Sequence, residues 1–152
     1  MKSRVMPLML LMLSLMPMLA TAAGQTPACY SSVSQGGLDA CAAGEYSKAD
    51  RELNAVWKAI LVKYADQPAF LSRLKASQKL WIRFRDAEID AMYPVGRSEH
   101  PDEIYGSVYP MCISQAETKL TEQRIKQLKA WLNGAADGDV CAGSIKNSSD
   151  LK

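Results

Sequence analysis

The 152-residue chain predicts an all-α fold, a small antiparallel bundle of three long helices with two disulfides. Three observations carry that expectation. Apolar residues recur every three to four positions through three long stretches, which is the period of an amphipathic helix. Prolines and glycines gather between those stretches, where helices stop. Four cysteines follow a leader that reads as an export signal, and an even cysteine count in an exported chain reads as disulfides.

The leader comes first. Lys2 and Arg4 precede an apolar run over residues 5–19, and small residues follow, with Ala20 and Ala22 at the two small-residue positions before a cut. That is the layout of a secretory signal peptide over residues 1–22. The run is shorter than the roughly 20 residues a membrane span needs, and Pro17 interrupts it. Residues 23–37 are small and polar and read as irregular, with room for one short turn.

From 38 to about 66, Leu38, Ala42, Tyr46, Ala49, Leu53, Val56, Ile60 and Tyr64 form a single stripe. Pro68 disfavours helical geometry in the residue before it and suits the first turn of a second helix. Phe70, Leu74, Gln78, Trp81, Arg85 and Ile89 make the inner stripe of that helix, and Tyr93-Pro94 closes it. A connection of two or three residues forces the two helices antiparallel. Residues 94–111 hold three prolines and two glycines and read as a long ordered loop. A third helix over about 112–132 carries Ile113, Ala116, Leu120, Arg124, Leu128 and Trp131, and Asn133-Gly134 stops it. The helical domain is thus expected over 38–133, with 134–152 a loose tail tied by Cys141.

Cleavage near Ala22 removes Lys2 and Arg4, so 18 cations become 16 against 16 carboxylates. A neutral mature chain points to neither nucleic acid nor membrane insertion, and its place is the periplasm or the outside medium. One histidine and no closely spaced cysteine pair argue against zinc or a redox centre, and no cofactor is implied. No G-x-S-x-G nucleophile motif occurs. Asp86 and Glu88 stand two apart on a helix and do not face each other. The chain does not read as an enzyme.

Helix geometry bears on the cysteines. If the first and third helices start at the same end, Cys41 lies level with Cys112, and Cys29 is left for Cys141. That pairing, Cys41–Cys112 with Cys29–Cys141, is favoured, and the first bridge would contribute roughly 4 kcal/mol by closing about 70 residues. The rival pairing joins Cys29 to Cys41 locally, but asks Cys112 to reach Cys141 past a helix of about 30 Å.

Several polar residues sit on the inner stripes. Gln78 and Arg85 share a face with Trp81, Asp50 and Asn54 flank Leu53, and Arg124 interrupts the third helix. A guanidinium near a core needs a carboxylate, and Asp50 is the expected partner of Arg85 in a register-fixing network.

These residues also carry a resemblance. The order Cys41, then Ala49-Asp50-Arg51-Glu52-Leu53-Asn54, then Gln78-Lys79-Leu80-Trp81-Ile82-Arg83-Phe84-Arg85-Asp86-Ala87, then Gly106-Ser107, Cys112 and Thr121-Glu122-Gln123-Arg124 resembles the LprI-type lysozyme inhibitor N-terminal domain. The resemblance runs from about 29 to 131 and implies an exported helical protein that binds lysozyme. Members often carry a cysteine where this chain has Ile89, which leaves Cys141 as the candidate for that bridging role.

An inhibitor needs a rigid base and a protruding loop that can occupy a cleft containing paired carboxylates. The helices would be the base. Residues 94–111 would be the loop, with Arg97, His100 and Ser107 as donors and Glu99, Asp102 and Glu103 as an acidic cluster facing a basic enzyme. The alternative is a non-inhibitory envelope protein that binds another exported partner.

Overall fold

The structure, a computed structural model, describes residues 28–31, 34–97 and 99–151. The leader expected at 1–22 lies outside them, as does the start of the mature chain through residue 27. Four α-helices are present among the described residues: α1 Gln35–Lys63, α2 Pro68–Met92, α3 Pro101–Tyr105 and α4 Tyr109–Asn133. Short 3-10 turns at Ala28–Ser31 and Ser148–Leu151 flank them. Apart from one isolated bridge, Ala135 to Asn147, the described residues hold no strand pairing.

Each long helix begins on a local chemical cue, and α4 also ends on one. The hydroxyl of Ser34 accepts the Gly37 N–H at 3.2 Å and caps α1, satisfying one of the amides a helix start leaves without a partner. That cap places the start three residues before the first apolar residue of the stripe. Pro68 opens α2, and Pro110 lies in the first turn of α4. Gly134 ends α4 in a left-handed conformation, φ +78°.

The helices do not share the core equally. Leu53, Val56 and Ile60 of α1, with Tyr64 just past its end, pack with Ile125 and Leu128 of α4, and α2 adds Leu74 as its one buried residue. Helices α1 and α4 run parallel and lie close along their length. Tyr64 near the end of α1 meets Trp131 near the end of α4, while Arg85 of α2 reaches back to Tyr46. Helix α2 therefore runs antiparallel to both and leans on the pair through long side chains, leaving a gap against α1.

Two expectations are corrected here. The disulfide joins Cys29 to Cys41, with Cα atoms 5.5 Å apart, and Cys112 and Cys141 are free thiols. The favoured pairs, Cys41–Cys112 and Cys29–Cys141, are not formed. Cys29 sits on the turn beside the start of α1, whereas Cys141 follows the far end of α4, a helix of 25 residues or about 37 Å. With Cys41 taken by its local partner, Cys112 has no second sulfur at its end of the bundle. The local bridge closes a shorter loop and contributes roughly 3 kcal/mol in the chain-entropy model.

The segment after α4 is not loose, and no bridge from Cys141 ties it. It folds back over the end of the bundle. The Tyr64 hydroxyl donates to the Trp131 carbonyl at 2.8 Å and accepts the Lys146 N–H at 3.1 Å. The Lys146 ammonium pairs with Asp66 at 2.8 Å, and Lys63 donates to the Leu151 carbonyl. Tyr64, Phe70 and Trp131 stack beneath this strap, with ring centres 4.5 to 6.1 Å apart.

Candidate functional site

The gap between α1 and α2 is an open groove of about 730 Å³. Asp50, Leu53 and Asn54 stand on its α1 wall, and Gln78, Trp81 and Arg85 on its α2 wall. Helical periodicity explains the gathering: 50, 53 and 54 share one face of α1, and 78, 81 and 85 share one face of α2. Of these six, Leu53 alone is buried, so the polar stripe residues line a solvent-reaching groove.

The internal bonding differs from expectation. Arg85 does not pair with Asp50. Its Nε and one terminal nitrogen donate to Asp86 at 2.9 and 2.7 Å, and the other terminal nitrogen donates to the Tyr46 hydroxyl at 3.3 Å. Asp50 instead accepts from the side-chain amide of Asn54 at 3.0 Å, one turn along its own helix. Arg85 does reach α1, at Tyr46 one turn before Asp50, but its carboxylate partner is its own neighbour Asp86. Gln78 accepts from Arg124 of α4 at 2.9 Å. The guanidinium carbons of Arg85 and Arg124 lie 5.6 and 5.8 Å from the centre of the Trp81 ring, within cation–π range.

Burial tunes the groups behind the groove. Desolvation pushes the Glu117 carboxyl above the ordinary carboxylate range; Arg85 pulls it back, and Asp86 adds to the rise. The Tyr46 phenol is also raised, by burial first and then by Glu117. Desolvation lowers Arg124, which nonetheless stays charged.

The second region is the end of the bundle where α2 gives way to α4. Arg97, Glu99, His100, Asp102, Glu103 and Ser107 are all exposed there. The loop is built rather than slack. The Glu99 carboxylate accepts the Gly96 N–H at 2.7 Å, and the Tyr105 hydroxyl donates to the Pro94 carbonyl at 3.0 Å. Beneath it Tyr93, Tyr105 and Tyr109 form a triad with ring centres 5.5 to 5.8 Å apart. Helix α3, one turn within the segment expected to be loop, opens on Pro101. Partial burial raises the Tyr93 phenol, and its neighbour Cys112 adds to the rise. Exposed Met92, Val95, Ile104 and Val108 stand among the carboxylates.

Sequence reasoning singled out the motif residues and the loop segment, but did not assign Lys75 or the tyrosine triad to either. Trp57, Lys75 and Lys79 line the groove, and the tyrosine triad supports the loop. The cue for the first set was the spacing of Lys75 and Lys79 at i and i+4 beside Gln78. For the second it was three tyrosines in a breaker-rich stretch.

The family model described as lysozyme inhibitor LprI matches residues 27–128. The chain is 29% identical over 127 residues to an uncharacterized protein of Rhizobium meliloti (strain 1021), an alignment covering 76% of this chain and 86% of that protein. No solved structure matches.

Proposed function

We infer function from one premise: the chain belongs to the lysozyme inhibitor LprI family, whose model spans about two-thirds of it. On that premise it is an exported protein that binds a lysozyme and blocks its cleft. The observation that supports the binding surface is the built tip formed by the described residues 94–97 and 99–107. Rigid loops present hydrogen-bonding and apolar groups without a large ordering cost on association, and the tyrosine triad holds this one.

Charge supports the same surface. Residues 86–107 carry six carboxylates and one arginine, a net of −5 on a mature chain whose total is zero. Such a field attracts a cationic enzyme, speeds encounter and fixes orientation. The exposed aliphatic residues at the tip supply area that excludes water from those contacts.

Export belongs to the same proposal. No described helix is long and apolar enough to cross a membrane, and the mature N-terminus is expected near Ala23. Mass spectrometry of protein recovered from the envelope or medium would read that terminus.

The test of inhibition is lysis of bacterial cell walls, followed by turbidity, with purified mature protein and several lysozyme types. The proposal expects saturable inhibition, weakened on the order of tenfold by Asp102→Lys with Glu103→Lys. Failure against every lysozyme type overturns it. Capture of another exported protein without inhibition would favour the non-inhibitory reading.

A further inference from the structure

We propose that the α1–α2 groove is a separate binding site for a carboxylate-bearing saccharide. Its volume, about 730 Å³, falls in the range of small-molecule sites. Its lining is the reason for the ligand class. Ten of its twelve side chains carry a nitrogen or oxygen, and Leu53 and Ile82 are the two that do not.

An extended peptide that adds to a sheet needs a strand edge, and both walls of the groove are helical. The lining mixes apolar surface from Leu53, Trp57, Trp81 and Ile82 with polar and charged groups. A pyranose ring presents hydroxyls around its rim and C–H groups on its faces, and wants hydrogen-bonding groups interspersed with aromatic surface. The α1 wall offers this combination. Asn54 donates to Asp50, so their remaining oxygens form a fixed pair of acceptors one turn apart, with the Trp57 indole a turn further on.

The acidic character follows from the other wall. Lys75 and Lys79 stand one turn apart on α2 and make no ion pair among the described residues. Arg85 is already paired with Asp86, and Asp50 is the one carboxylate in the lining. Two unpaired cations against one anion favour a ligand with a carboxylate of its own. Gln78 and Arg85 are held by Arg124, Asp86 and Tyr46, so this wall is preorganised.

The site lies between the helices, not in the 94–107 tip, so it can be tested independently of lysozyme inhibition. Tryptophan fluorescence of the full mature protein reports directly, because Trp57 and Trp81 line the groove. The probes are the disaccharide N-acetylglucosaminyl-N-acetylmuramic acid, neutral di-N-acetylchitobiose, and an acidic peptide of similar size. The acidic disaccharide should give a saturable change and bind more tightly than the neutral one. Lys75→Glu with Lys79→Glu should weaken it on the order of tenfold or more, while the melting temperature and lysozyme inhibition stay unchanged. Both lysines are exposed, so the fold should survive the reversal. No saturable change with the acidic disaccharide, equal affinity for the neutral disaccharide, or equal affinity for the acidic peptide overturns the assignment.

Discussion

Single side chains set several of the tolerances of this fold. Tyr64 is fully buried, and its hydroxyl serves a carbonyl of α4 and an amide of the tail at once. Tyr64→Phe keeps the ring stack but leaves both backbone groups without that partner, and should cost about 1–3 kcal/mol in chemical denaturation. Thr121 is the opposite case, a fully buried hydroxyl with no hydrogen-bond partner. Thr121→Val keeps the shape and removes the desolvated oxygen, so it should leave stability unchanged or raise it by about 1 kcal/mol. Glu117 sets a pH dependence. Its folded-state carboxyl is raised, mainly by burial, so the native state binds the proton more tightly than the unfolded chain. Stability should therefore fall as pH rises from the ordinary carboxylate range through the raised value. Glu117→Gln should flatten that part of a stability-against-pH curve. The sequence pointed to polar residues on the stripes but not to their partners, because pairing depends on the register of α2 against α1. Arg85 meets Asp86 beside it and Tyr46 across the groove, not Asp50.

At the scale of elements, breakers made the long helices legible. Pro68, the proline-rich stretch from 94 to 110, and Asn133-Gly134 mark three of the boundaries. The tail was not legible, because no periodic apolar pattern holds it; backbone groups, one tyrosine and two lysines do. Its docking makes Gly134 sensitive on two counts. A Cβ there would sit in a left-handed conformation and would also lie 2.7 Å from the Ser148 Cα. Gly134→Ala should destabilise by more than about 1 kcal/mol and speed amide exchange across 135–151. The disulfide map was likewise beyond sequence spacing, since Cys29 and Cys41 meet only because the turn at Ala28–Ser31 folds against α1. Thiol titration of the oxidised protein should count two reactive groups, Cys141 quickly because it is exposed and Cys112 more slowly.

The whole molecule is neutral in sum and polar in distribution. Residues 58–80, around the α1–α2 turn, carry five cations and one carboxylate, a net of +4, while residues 86–107 at the other end carry −5. Composition concealed this separation, and it became visible once the helices placed the two segments at opposite ends. A basic enzyme approaching the acidic end is attracted along the long axis, and screening should weaken that attraction as the Debye length falls from about 10 Å at 0.1 M salt to about 3 Å at 1 M. Inhibition should therefore decline with salt more steeply than the enzyme's own activity does. The central claim is that this exported helical protein blocks a lysozyme with its acidic, tyrosine-backed tip. The most direct measurement is lysozyme-driven clearing of a cell-wall suspension, with the mature protein beside its Asp102→Lys, Glu103→Lys variant. Saturable inhibition by the first, lost or strongly weakened in an equally stable second, is the predicted result. Equal inhibition by both, or none by either against any lysozyme tried, would contradict it.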